Sequence, residues 1–268
     1  MLHSVFGKSI FDSRRTMIGW ALGTAAAAGL VVGLYPIIRD SPEIVDLLES
    51  YPEALLELFG IDNIDTYTSP PGFLETQLFA TYVPLIFLIF AIGRGIAAIA
   101  GEEQDRTLDV LLAHPVSRDR VIWEKAGALA ALVGTLTVVL FAVVWLGGLF
   151  FDGWPGVVEV LAGTFSAFLM AMVFAFLALA AGAVTGRRGL SLGMAAGITV
   201  AAYIIQGIAP LVDGMEWAER LSPFYYYLNH DPLQSGFDLA GTAVLVTVCG
   251  LFLGIALWGF RRRDIGVS

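Results

Sequence analysis

The sequence predicts an all-α integral membrane protein with six transmembrane helices, because its composition is very apolar and it contains six long apolar runs. Of the 268 residues, 57% are hydrophobic and only 15% are charged, a balance that no soluble domain of this size needs for its core. A helix of about 20 apolar residues crosses the ~30 Å hydrocarbon layer of a bilayer. Helices also satisfy their own backbone groups in lipid, and the runs lack the alternation of barrel strands. The predicted spans cover residues 17–38, 76–100, 126–151, 160–185, 189–212 and 239–260.

Basic residues are distributed very unevenly over the segments that join these spans. With six spans, twelve basic residues fall on one side of the membrane, whereas Arg39 and Arg220 fall on the other. Because Lys and Arg favour the cytoplasmic side, we expect both termini and the segment 101–125 to be cytoplasmic in a multi-pass protein of the cell membrane. The twelve are Lys8, Arg14, Arg15, Arg106, Arg118, Arg120, Lys125, Arg187, Arg188, Arg261, Arg262 and Arg263.

The predicted outer segments, residues 39–75 and 213–237, hold most of the acidic residues behind the net charge of −9. We interpret these acids, Glu75 among them, as a solvated acidic face, with a cation-attracting vestibule as the alternative. Residues 42–60 show helical spacing of apolar positions and predict an amphipathic helix at the outer interface. The three tyrosines at 225–227 predict an aromatic belt at the membrane surface.

The predicted spans carry few groups that could do chemistry. Arg94 is the only charge well inside a span, so the buried carboxylates and histidines of an ion-coupled carrier are missing. The three histidines are far apart, there is no zinc motif, and no glycine loop binds phosphate. The lone Cys249 excludes an intramolecular disulfide. We therefore expect no enzyme activity, no metal and no cofactor in this chain, and energy for any active transport must come from another subunit.

The stretch GEEQDRTLDVLLAHPVSRDRVIWEK, residues 101–125, concentrates charge between the second and third spans. We expect the second helix to continue through Leu108, Leu111 and Leu112 until Pro115 stops it. Ser117 is a good N-cap for the next helix, with Asp119 in its first turn. This pattern predicts a protruding elbow suited to a groove on another protein, and a solvated inner loop is the alternative.

The same stretch resembles the cytoplasmic segment of type-2 ATP-binding cassette (ABC) transporter permeases. Arg106 stands where that family usually has Gly, and Asp109 stands where it often has Glu. With six spans and both termini inside, the resemblance covers the whole chain and implies the type-2 ABC permease fold. The matching residues are Glu102, Glu103, Thr107, Leu108, Asp109, Leu111, Leu112, Pro115, Val116, Ser117, Arg118 and Lys125.

The resemblance implies a membrane permease subunit that forms the substrate path and couples, through residues 101–125, to separate ATPase subunits. Two membrane subunits, either a homodimer or a pair with a paralogous permease, would work with two ATPase copies. ATP and Mg would bind to the ATPase rather than to this chain, and nucleic acid is not expected as a partner. Such systems mostly export, and their substrates range widely. A secondary carrier and a non-transporting membrane subunit are the alternative functions.

Pairs of glycines four residues apart occur in several predicted spans. Such pairs let two helices approach closely, although most of them pack helices within one subunit. Since the first and fifth spans tend to meet across the dimer in the resembling family, Gly29 with Gly33 and Gly193 with Gly197 are the candidate dimer contacts. Gly250 and Gly254 form a third pair.

Overall fold

The computed structural model describes residues 4–41, 46–47, 50–52, 64–112, 116–209, 212, 214–228 and 230–263. Six helices in this part of the chain are long and apolar enough to cross a membrane. The prediction of an all-α fold with six membrane helices is confirmed, since the described residues form no strand. The six are α1 (Val5–Arg39), α2 (Pro70–Gln104), α3 (Arg118–Gly147), α4 (Val157–Thr185), α5 (Arg188–Ile208) and α6 (Leu239–Arg262).

Helix α4 forms the centre of the bundle and packs against α2, α3, α5 and α6. In its most apolar stretch 89% of the residues are buried, compared with 28% for α1 and 22% for α5. Its sequence explains this position, because it contains no charged residue after Glu159 and many of its residues are Ala or Gly. Small side chains let neighbouring backbones approach closely, which is the main source of helix association in lipid.

A close approach in the core joins α2 to α4 at Gly95. A Cβ added to Gly95 would lie 2.5 Å from the carbonyl oxygen of Ala175 and 2.8 Å from Cβ of Ala178. Neither contact is with the end of a flexible side chain, so the helices would have to move apart. Gly95 is therefore required at this crossing.

Two helices end earlier than the ends of the spans that the sequence predicted. Helix α3 ends at Gly147 rather than at residue 151, and the Trp154 ring packs over Gly147 and Gly148. Helix α5 ends at Ile208 rather than at residue 212, shortly before Pro210, which cannot continue the backbone hydrogen-bond pattern. The predicted amphipathic helix over 42–60 lies almost entirely outside the described residues.

Short helices cover the end of the bundle opposite the segment 101–125. They include Ile64–Thr68 before α2 and three helices between α5 and α6, namely Glu216–Glu219, Pro223–Leu228 and Pro232–Ser235. The last two pack against α4, so the segment between α5 and α6 folds back onto the bundle. We call this the outer end, and the opposite one the charged end.

Replacing Gly95 with Ala is expected to destabilise the bundle, because overpacking a tight core contact costs about 1–3 kcal/mol. The midpoint of thermal unfolding in detergent should fall by several degrees. Gly93→Ala is the matched control, since a Cβ added to Gly93 meets nothing within 4 Å. Equal midpoints for the two variants would contradict the assigned α2–α4 crossing.

Candidate functional site: the charged end of the bundle

Helix α2 stops earlier at the charged end than the sequence predicted. It ends at Gln104, a turn follows at Asp105 and Arg106, and a separate short helix runs over Thr107–Leu112. The turn is closed by the N–H groups of Asp105 and Arg106, which donate to the carbonyl oxygens of Gly101 and Glu103 at 2.9 Å and 3.0 Å. The expected continuous helix up to Pro115 is therefore wrong, and Pro115 itself lies outside the described residues.

The helix breaks at Arg106, whose backbone is left-handed with φ of 56°. L residues rarely adopt this region, whereas Gly enters it without a steric penalty. Type-2 permeases, which this stretch resembles, usually have Gly here, so the structure explains that preference. In this chain Arg106 makes the same turn at an energetic cost.

The leucines of the elbow are less available to a partner than the sequence suggested. Leu108 is 0% exposed and belongs to the core of its own chain. Leu111 and Val116 are half-buried and pack against the same core. The structure describes the backbone of Asp109 and Leu112 but not their side chains. The expectation that all three leucines face a partner is therefore wrong for Leu108, because the Leu108 side chain fills the interior of its own chain.

Glu102 belongs to a buried ion-pair network rather than to an exposed docking face. Its Oε1 lies 2.5 Å from Nζ of Lys125 and 3.8 Å from Nζ of Lys8. The Lys125 side chain is 3% exposed and the Glu102 side chain 17% exposed. Since a buried charge is stable only with a partner, this cluster joins the end of α2 to the beginnings of α1 and α3.

Arg118 holds the end of the last helix. Its Nη1 donates to the carbonyl oxygens of Phe260, Arg261 and Arg263 at 3.1 Å, 3.3 Å and 2.6 Å. A guanidinium at a helix C-terminus satisfies free carbonyl groups and interacts favourably with the helix dipole. We therefore assign Arg118 to the joint between α3 and α6.

Further ion pairs complete this joint. Asp119 accepts two hydrogen bonds from Arg261, each 2.6 Å long. Arg263 binds the carboxylate of Glu103 and also donates to the carbonyl oxygen of Gly182 in α4 at 3.1 Å. The C-terminal end of α6 is thereby fixed to α2, α3 and α4.

The predicted helix start at Ser117 is confirmed. The Ser117 hydroxyl accepts a hydrogen bond from the N–H of Arg120 at 3.3 Å, and Asp119 lies in the first turn. From this cap, α3 runs into the bundle as one uninterrupted helix. Glu102 and Glu103 are paired, and among the elbow residues whose side chains the structure describes, the run Gln104–Thr107 is exposed; we call it the elbow tip.

The outer end contains an acid that sequence reasoning misplaced. Glu75 is 8% exposed, and its two oxygens accept hydrogen bonds from the N–H of Leu233 at 3.0 Å and from Nε2 of Gln234 at 2.9 Å. It is not part of a solvated acidic face, because these donors hold it inside the bundle. The available signal was its position, since Glu75 directly precedes the apolar run of the second span.

The predicted tyrosine belt is also corrected. Tyr227 is 2% exposed, and its hydroxyl donates to the carbonyl oxygen of Phe79 at 2.9 Å. Phe79 belongs to the π-helical segment Leu74–Tyr82 of α2. Tyr227 therefore fastens the folded-back outer segment to α2, while Tyr225 and Tyr226 are only half-buried.

The candidate dimer glycines share one property. A Cβ added to Gly29, Gly33, Gly193 or Gly197 would meet nothing within 4 Å. These pairs do not pack helices within the described part of this subunit, and their faces are open on α1 and α5. The same holds for Gly250 and Gly254 on α6.

A model of the family described as ABC-2 family transporter protein matches residues 4–265. The chain belongs to the ABC-2 transporter family. It is a multi-pass membrane permease of an ABC transporter, the transmembrane component that associates with an ABC ATPase. The match covers all six helices and the whole charged end of the permease. No curated protein sequence matches the chain.

Arg106→Gly is expected to stabilise the permease by roughly 0.5–1 kcal/mol, because Gly adopts the left-handed turn freely. The change should appear as a higher midpoint of thermal unfolding in detergent. Arg106→Ala, which removes the charge but keeps the strained backbone, should show no such gain. An equal gain from Ala would assign the effect to charge and not to the turn.

Proposed function

We propose that this permease forms the substrate path of an exporter and is driven by ATPase subunits that dock on the elbow tip, Gln104–Thr107. In this arrangement the permease lies in the cell membrane with its charged end and both termini on the cytoplasmic side. The ATPase binds ATP and Mg. Two permease copies, identical or paralogous, would work with two ATPase copies.

The observation that carries this proposal is the contrast between the elbow's tip and its base. The tip is exposed, whereas Glu102 and Glu103, immediately before it, are held by Lys125 and Arg263. A partner that moves the tip therefore acts on α2, α3 and α6 through ion pairs rather than through a flexible loop. A mixed-charge tip of this kind suits a polar groove on a soluble subunit.

The docking proposal predicts that Gln104→Trp weakens ATPase binding by about tenfold, since a bulky ring in a packed interface costs about 1–3 kcal/mol. Gln104 is exposed and its side chain makes no hydrogen bond with a described residue, so the permease alone should keep its stability. The measurements are co-purification with the ATPase and permease-stimulated ATP turnover.

Ser235→Trp is the matched control for docking, because Ser235 is exposed at the outer end. It should leave both measurements at the wild-type level. Wild-type association and turnover in the Gln104→Trp complex would remove the elbow tip from the interface. The family membership of the permease would not be affected.

The open glycine faces support dimerisation through α1 and α5. Both helices are mostly uncovered within the subunit, and large apolar residues such as Leu22 and Ile198 are exposed on them. In lipid these residues alone do not drive association, because lipid tails are equally apolar. Close backbone contact at small residues is the favourable alternative, and the glycine pairs provide it.

The double variant Gly193→Leu with Gly197→Leu is expected to shift the permease from dimer to monomer, because two added side chains separate the backbones. Size-exclusion chromatography with light scattering measures the mass in a fixed detergent. Gly250→Leu with Gly254→Leu is the control, since these positions are equally open on α6. A dimer that survives the α5 change and dissociates with the α6 change would assign the interface to α6.

A further inference from the structure

Among the described residues, the middle of the bundle contains no carboxylate and no basic side chain that could neutralise a charged substrate. The acids and bases of the six helices lie near their ends, and the deepest of them, Glu75 and Arg94, are bonded to Gln234 and Ser13. Whichever faces line the path, the described residues offer a charged substrate no counter-charge in the middle of the bundle. Burial of an uncompensated charge is strongly unfavourable, so the chemistry of the bundle selects against one.

A cavity of about 200 Å³ lies between α1 and α2 in their outer halves. Its apolar wall includes Leu34, Ile37 and Phe73, and no charged residue lines it. This cavity is distinct from the sites held by Glu75 and by the charged end. An apolar pocket with a few convergent polar groups is the usual form of a small-molecule site.

The polar groups of the cavity are neutral. Nε2 of Gln77 donates to the Tyr67 hydroxyl at 3.0 Å, and Tyr82 also lines the cavity. No described residue donates a hydrogen bond to the side-chain oxygen of Gln77, although this side chain is half-buried. The Gln77 oxygen is therefore available to accept a hydrogen bond from a ligand hydroxyl or amide.

We propose that this cavity binds the polar head of an uncharged amphiphilic substrate, with Gln77 accepting its hydrogen bond and Leu34 and Ile37 contacting the start of its apolar chain. This substrate class rests on the proposed export function. The volume of about 200 Å³ is below the ~300–1,000 Å³ of pockets that enclose a whole ligand, so the cavity holds one end of the molecule. The remainder extends along the open side of the cavity.

Three probes with the same dodecyl-length chain test the proposal: monododecanoylglycerol (neutral), dodecanoate (anionic) and dodecyltrimethylammonium (cationic). Binding to the purified permease in a fixed detergent is measured by native mass spectrometry. The neutral probe is expected to bind about tenfold more tightly than either charged probe, since no charged residue lines the cavity. Equal or tighter binding of a charged probe would overturn the substrate class.

Two variants locate the site. Leu34→Trp fills the cavity and should weaken binding of the neutral probe by about tenfold, because an overpacked site excludes the ligand. Leu22→Trp is the control, since Leu22 is 66% exposed on the same helix but does not line the cavity. Unchanged binding in Leu34→Trp would place the site elsewhere and reject the cavity.

A third variant tests the role of Gln77. Gln77→Lys introduces a positive charge beside the cavity and should shift the preference from the neutral probe to dodecanoate. Retained preference for the neutral probe would remove Gln77 from the site, whatever the effect of Leu34→Trp.

The binding measurements use the permease alone and are therefore independent of ATPase docking. Suppose that the neutral-probe preference is lost while Gln104→Trp weakens ATPase binding as expected. That outcome would reject the substrate class and leave the coupling proposal standing. The neutral probe should also raise ATP turnover of the complete complex in nanodiscs. Binding without any change in turnover would show that the cavity is not on the transport path and would overturn the assignment as a substrate site.

Discussion

The ion pair between Glu102 and Lys125 is the contact on which the charged end depends. Lys125 is 2% exposed, and its carboxylate partner also approaches Lys8, so three helices meet at one carboxylate. Removing either partner would leave an unpaired charge in a low-dielectric interior, which is strongly destabilising. This network fixes the base of the elbow, from which the exposed tip Gln104–Thr107 projects.

The two ends of the bundle solve the same problem with different chemistry. At the charged end, carboxylates pair with Lys and Arg, and Arg118 satisfies carbonyl groups at the end of α6. At the outer end, Glu75 accepts hydrogen bonds from a backbone N–H and an amide, and no cation is within 4.0 Å among the described residues. The outer segment is therefore held to α2 by neutral donors, which give a directional but electrically unbalanced contact.

The sequence was sufficient where the determining interaction is local. Six apolar runs specify six helices, and the Ser117 cap depends only on an N–H three residues away. Glu75 was misplaced because its partners are far along the chain, at residues 233 and 234. The break at Arg106 was missed because L residues rarely adopt a positive φ, although the resembling family usually has Gly at that position.

The unequal coverage of the helices links the fold to the proposed motion. Helix α4 is almost completely enclosed, and α2 is fixed to it at Gly95, whereas α1 and α5 expose most of their surface. The ion pairs at the charged end join α1, α2, α3 and α6, and a hydrogen bond from Arg263 adds α4, whereas α5 lies outside this network. A displacement of the elbow tip would therefore move the central helices as a group. Relative motion would then concentrate at α5, whose open face is free to pack against another molecule.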